Sequence, residues 1–167
     1  MWWAGYEWHP VPLPPTAASQ VAKLASKHRG DQLTACVDLL RRAGLDVERV
    51  LDALASTDTG DILEFIAQIL EADSPRPWKS TVGLCRSTVS QWHTIRGRLI
   101  DKGIPDPLRA LPSLTALLDV VEIMLLDGME KKEDRERFLR DLYRRDTVTQ
   151  SGPPPGWEDG AELDGLF

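Results

Sequence analysis

The feature that most restricts this chain is an apolar stripe across residues 78–102. Trp78, Val82, Cys85, Val89, Trp92, Ile95 and Leu99 recur at steps of four, three, four, three, three and four. That is the repeat of one helix face, not the two-residue alternation of a strand. The spacing predicts a single helix of about six turns, closed by Gly103. A one-sided helix of this length needs other elements to cover it, so Trp78 and Trp92 read as core residues before they read as contact residues.

The rest of the sequence supplies helices. Residues 16–29 space Val21, Leu24 and Ala25 on one face, with Gly30 as a stop. Asp31 is placed to cap a second helix carrying Leu33, Val37 and Leu40, which ends at Gly44 behind Arg41 and Arg42. Asp46 can cap a third with Val47, Val50, Leu51 and Leu54. Thr57-Asp58-Thr59 reads as a turn, and Ile62, Phe65, Ile66, Ile69 and Leu70 stripe a fourth helix. Beyond the long helix, Pro105 and Pro107 make a rigid connector. Pro112 then opens an apolar helix through Leu114, Leu117, Leu118, Val121, Met124 and Leu125, predicted to be the most buried. Residues 130–146 hold seven bases and six acids around Phe138, Leu142 and Tyr143, the pattern of an exposed amphipathic helix. Thr147-Val148-Thr149 is too brief for a sheet. The expected fold is all-α, a compact multi-helix bundle.

Ser74-Pro75-Arg76-Pro77 divides the helical region 16–146 into parts 16–73 and 76–146. Two separate cores would each be marginal at this length, so one domain is expected. The ends differ from the middle. Residues 1–15 hold Trp2, Trp3, Tyr6 and Trp8, then Pro10, Pro12, Pro14 and Pro15. Proline density makes this an extended arm, and the tryptophan area favours folding back onto the domain, with partner contact as the other reading. Residues 147–167 read as a flexible acidic tail. The last 17 residues hold four acids and no base, with Trp157, Leu163, Leu166 and Phe167 set among them, a pattern that also suits a short motif ordering on a partner.

Composition narrows the function. Twenty Lys and Arg stand against 26 Asp and Glu, a net charge of −6, which argues against a general nucleic-acid coat. No apolar run approaches the roughly 18 residues of a membrane span, and the first residues lack a secretory pattern. Cys36 and Cys85 follow no metal spacing and suggest a reducing compartment, so a soluble intracellular protein is expected. His9, His28 and His93 form no metal-binding motif. Cys85 and His93 lie about 12 Å apart along one helix, too far for a nucleophile and its base. GxxxxGK[ST], GxGxxG and GxSxG patterns are missing, and proline removes the donors that would make residues 152–156 a phosphate cradle. Paired carboxylates such as Asp58 with Asp61, or Glu133 with Asp134, fit caps and charged faces. No catalytic, cofactor-binding or metal-binding residue is therefore expected, and no cofactor.

A DNA-binding regulator is the main alternative. Residues 76–109 carry seven bases against two acids, and residues 85–92 resemble a recognition helix with Gly83 as the preceding turn glycine. Against it, the scaffold helix before Gly83 would be very short, the basic residues scatter around the helix, and the apolar stripe runs through the supposed turn.

The segment from Pro75 to about Arg145 also resembles a known family. It carries Arg76-Pro77-Trp78, Trp92-His93-Thr94-Ile95-Arg96-Gly97, Leu99-Ile100, Gly103-Ile104, Pro105-Asp106-Pro107-Leu108-Arg109, Leu111-Pro112-Ser113-Leu114 and Ala116-Leu117-Leu118-Asp119. In this order these elements resemble the tail assembly chaperones of long-tailed actinobacterial phages, in the downstream region of their frameshift-extended form. The resemblance spans about 70 residues and is densest over residues 93–119. It implies a non-enzymatic assembly factor in the host cytoplasm that binds the tape measure and tail-tube proteins, with no membrane partner. A homo-oligomer is compatible with it, and a structural virion component is a further alternative. Arg76, Arg96 and Arg109 are the matched polar positions implied to meet a partner. With Trp2, Trp3 and Trp8 of the arm and Trp157, Leu163, Leu166 and Phe167 of the tail, they complete the expected contact set.

Overall fold

The computed structural model describes residues 1–4, 6–55 and 62–145. Among these residues the fold is helical, with nine α-helices around a single apolar cluster and one small hairpin. The helices are α1 (Ala18–Lys23), α2 (Arg29–Arg42), α3 (Val47–Ala55), α4 (Ile62–Ala72), α5 (Trp78–Ser90), α6 (Trp92–Asp101), α7 (Pro107–Ala110), α8 (Leu114–Asp127) and α9 (Lys132–Tyr143). The all-α expectation holds, apart from two short strands, β1 (Trp2–Trp3) and β2 (Tyr6–Glu7), paired antiparallel with Trp2 opposite Glu7. Ala4, at the hairpin turn, has φ 50°, the left-handed conformation that two-residue hairpin turns call for.

Local signals set several helix ends. Asp46 Oδ1 accepts the backbone N–H groups of Glu48 and Arg49, capping α3. Ser113 Oγ accepts from Ala116 N and caps α8. Gly44 (φ 72°) and Gly103 (φ 87°) end α2 and α6 in the left-handed conformation. Leu45 N–H then donates to Leu40 C=O and Ile104 N–H to Leu99 C=O, which satisfies carbonyls the helix leaves free.

Two predicted helices come out differently. The first ends at Lys23 instead of reaching residue 29. The Gln32 amide donates to the carbonyls of Leu24 and Ser26, and Ser26 Oγ accepts the His28 N–H, so the polar turn between them is closed by side chains. Gly30 and Asp31 consequently lie in the first turn of α2, as neither stop nor cap. The predicted six-turn helix is broken at Gln91 (φ −109°, ψ 17°) into α5 and α6. Thr88 Oγ1 donates to Leu84 C=O and Ser90 Oγ to Ser87 C=O, so hydroxyls compete for helix carbonyls in the turn before the break.

The parts on either side of Ser74 share one core. α1 packs along α5, and α5 in turn meets α4 and α8. Val21, Leu39, Leu40, Phe65, Ile66, Cys85, Leu99, Leu117, Leu118 and Val121 belong to one buried cluster. As predicted, α8 is deeply buried: Leu114, Leu117, Leu118, Val121 and Met124 all face inward. Burial pushes the Cys85 thiol up to about 12, so it packs as a small hydrophobe and stays protonated. No described helix is long and apolar enough to cross a membrane. The turn at Thr57-Asp58-Thr59 and the tail with Trp157, Leu163, Leu166 and Phe167 lie outside the described residues.

Candidate protein-interaction site

The arm folds back. Trp3 (7% exposed) and Trp8 (3%) are core residues, with the Trp3 ring stacked on Phe65 at 4.3 Å and Trp8 at 5.4 Å from the same ring. Trp8 Nε1 donates to Trp3 C=O, so the buried indole has its partner. Arg49 lies over the rings of Tyr6 and Trp8 at 5.5 and 5.2 Å. Beyond the hairpin, Val11 N–H donates to Ala43 C=O, and Leu13 C=O accepts from Leu114 N at the start of α8. The arm is thus a strap from the end of α2 to the start of α8. Trp3 and Trp8 are corrected from partner-contact residues to core, because their area is spent on Phe65. Trp2 alone of the three stays open, at 70% exposure.

Arg76 is corrected in the same way. It is 2% exposed, and its Nε and Nη2 donate to Glu122 while Nη2 also reaches Asp119 at 2.6 Å. Glu122, 8% exposed, accepts a further bond from Tyr143 Oη, and the guanidinium lies 5.8 Å from the Tyr143 ring. Burial works against the charge on Arg76, but hydrogen bonds to Asp119 and Glu122 outweigh it and hold the pKa above its ordinary value. For Tyr143, burial and the bond to Glu122 both raise the phenol. This network ties the Pro-rich junction to α8 and α9, so Arg76 is a structural hub.

Arg96 and Arg109, by contrast, are exposed on α6 and α7. In sequence they stand near residues that line the feature best suited to hold another molecule, Arg96 one turn after Trp92 and Arg109 next to Leu108. The buried face of α5 runs through Thr81, Leu84, Cys85 and Thr88, which leaves Val89 at its edge and 45% exposed. Trp92, just past the break, is half-buried, while Val82, Cys85, Ile95 and Leu99 remain inside. Val89 and Trp92 form one wall of a groove of about 250 Å³. Pro15, Thr16 and Ser19 make the opposite wall, and Thr88, Leu108 and Leu117 line the rest. The groove is mainly apolar, with hydroxyls at its edges, which suits insertion of an apolar side chain. A larger cleft of about 840 Å³ lies between α4, the start of α5 and the end of α9. Glu64, Glu71 and Asp141 face Lys79, Arg144 and Arg145 there, so its charge is balanced and it selects no particular ligand.

Val89 and Leu108 were absent from the expected contact set. The available signal was the polar run Ser87-Thr88 and Ser90-Gln91 in the middle of a supposedly continuous helix. The recognition-helix reading changes as well. α5 continues through Gly83, and residues 85–92 span the end of α5 and the break, so they do not form one helix preceded by a turn. Among the described residues, no three His, Cys, Asp or Glu side chains are grouped to hold a metal ion.

A family of unknown function, DUF7240, matches residues 87–166, somewhat under half of the chain. The match begins beside the groove and takes in α6, α7, α8 and α9. No curated protein and no solved structure gives a match.

Proposed function

We propose that this protein is a non-enzymatic assembly factor that holds an apolar segment of a partner protein in the groove beside Val89 and Trp92. The observation that carries the reading is the mainly apolar groove lined by the exposed Val89 and the half-buried Trp92. A single exposed apolar side chain is ordinary, but apolar side chains that line a concave groove offer a docking surface. The resemblance of residues 75–145 to phage tail assembly chaperones supports the tape measure or tail-tube protein as client, in the infected host cell. An amphipathic helical client has the apolar face that such a groove accepts.

Tagged protein purified from phage-infected cells at moderate salt is expected to bring down the tape measure or tail-tube protein. The Val89→Asp chain, altered at an exposed position, is expected to lose most of that capture while keeping its melting temperature. Replacement of Arg86, Arg96 and Arg98 by Ala is expected to leave most of it, since an apolar client does not depend on phosphate contacts. Recovery of nuclease-sensitive DNA without tail protein would replace this reading by the regulator. Presence in purified particles would favour a structural virion component.

A further inference from the structure

We infer that the groove at the α5–α6 break is also the seat of this chain's own C-terminal segment, residues 157–167, which covers it in cis until a client displaces it. The inference rests on the groove being the client site proposed above, and deepens that reading into a regulated one.

Charge, chemistry and reach support it. Arg86 lies three residues before Val89 on α5, and Arg96 four residues after Trp92 on α6, so each shares the helix face of a groove wall. Both are exposed, and neither forms an ion pair among the described residues. Arg109 follows the groove residue Leu108 and is exposed, with a loose contact to Asp106 at 3.5 Å. The surroundings of the groove are therefore apolar inside and cationic outside. Residues 157–167 have the complementary pattern: Trp157, Leu163, Leu166 and Phe167 alternate with Glu158, Asp159, Glu162 and Asp164, with no base among them.

The distance is short. Arg144 and Arg145, the last described residues, border the same cleft as Trp78 and Lys79 at the start of α5. Thr88 and Val89 stand about 15 Å further along that helix at 1.5 Å per residue. Eleven residues, 146–156, precede Trp157, and such a length of chain spans up to about 36 Å. A tether of this length sustains an effective concentration on the order of millimolar, so weak contacts suffice for occupancy in cis.

The test uses the full chain with Ala161→Cys. Cys36 and Cys85 are both buried, so a nitroxide reagent attaches at position 161. In a dilute sample labelled with nitrogen-15, the amide signals of residues 88, 89, 92 and 108 are expected to lose most of their intensity, and those of α3 to keep it. Charge reversal of Arg86, Arg96 and Arg109 to Glu, all at exposed positions, is expected to restore the signals, as is high salt. Undiminished signals at the groove, or loss only when spin-labelled chains are mixed with separate isotope-labelled ones, would overturn docking in cis. The two readings fail separately. If capture of tail protein depends on Val89 but the nitroxide effect is missing, only the inference falls. If the nitroxide effect is present but nothing is captured, the client reading falls. When both hold, replacing Trp157, Leu163, Leu166 and Phe167 by Ser increases capture severalfold.

Discussion

The N-terminal hairpin and α9 are both small elements attached to the same helical body, and they are attached by different balances of apolar and polar contact. The hairpin buries two tryptophans against Phe65, with Arg49 covering the outer faces of its rings. That attachment is made of area and dispersion, which depend little on direction or pH. α9 offers the body the buried Leu142 and the half-buried Phe138, and is further held by Tyr143 on Glu122 and by Arg135 Nε on Met129 C=O. That attachment adds directed polar bonds to a smaller apolar contact, and the polar part holds only while each partner keeps its charge and place. An arm rich in proline and tryptophan is thereby fixed firmly, and a regular twelve-residue helix weakly. Regularity of an element says little about how strongly it is held.

The sharpest way to break this contrast is Phe65→Ala, which removes the floor under both indoles and opens a cavity where Trp3, Trp8 and α4 meet. The expected loss is about 4 kcal/mol in a denaturant or thermal unfolding series. The hairpin amides should exchange with solvent much faster, while those of α9 change only with global stability. A loss under about 1 kcal/mol would mean that the stacked rings are not what fastens the arm.

Arg76→Met attacks the other attachment. The apolar replacement fills similar space but leaves Glu122 buried without its cation, at an expected cost of about 3 kcal/mol. Protection of residues 132–143 in hydrogen exchange should fall first. Combining it with Glu122→Leu removes the stranded charge and should recover much of the loss, because the penalty comes from an unpaired ion more than from a missing bond. If the double variant is as unstable as the single one, the network is worth more than its charges suggest.

How much of this was legible in the sequence follows the range of each interaction. Gly44, Gly103 and Asp46 act within one turn of where they stand, and their roles as helix ends could be read directly, whereas the start of α8 at the Ser113 cap falls just past the predicted Pro112. The apolar faces of α4 and α8 are equally local, and the residues predicted to be buried there are buried, apart from the half-buried Leu125. Arg76 was misassigned because its partner Glu122 is 46 residues away, and nothing in either neighbourhood announces the pair. Trp3 and Trp8 carried enough area to suggest burial, but no signal named Phe65 as the place. The groove was missed for a subtler reason: the stripe counts apolar side chains alone, whereas the buried face of α5 also takes Thr81 and Thr88 and leaves Val89 at its edge.

The smallest expected effect is also the most specific to α9. Tyr143→Phe deletes the bond to Glu122 and leaves the ring near Arg76. The position is more than a third exposed, so the loss near neutral pH should be about 1 kcal/mol, at the low end for a hydrogen bond to a charged group. Its pH dependence is the clearer signature. The pKa of Tyr143 is raised in the folded state by burial and by its bond to Glu122. The folded protein therefore keeps the phenol proton more tightly than the unfolded chain, whose phenol titrates near 10. The stabilisation is complete below about pH 10 and disappears as pH rises through the higher folded value. Protection of α9 against exchange or proteolysis is accordingly expected to drop in alkali before the hairpin loosens. In the Tyr143→Phe chain that alkaline step should vanish. Loss of the hairpin and α9 at the same alkaline pH would show that a single global transition governs both attachments.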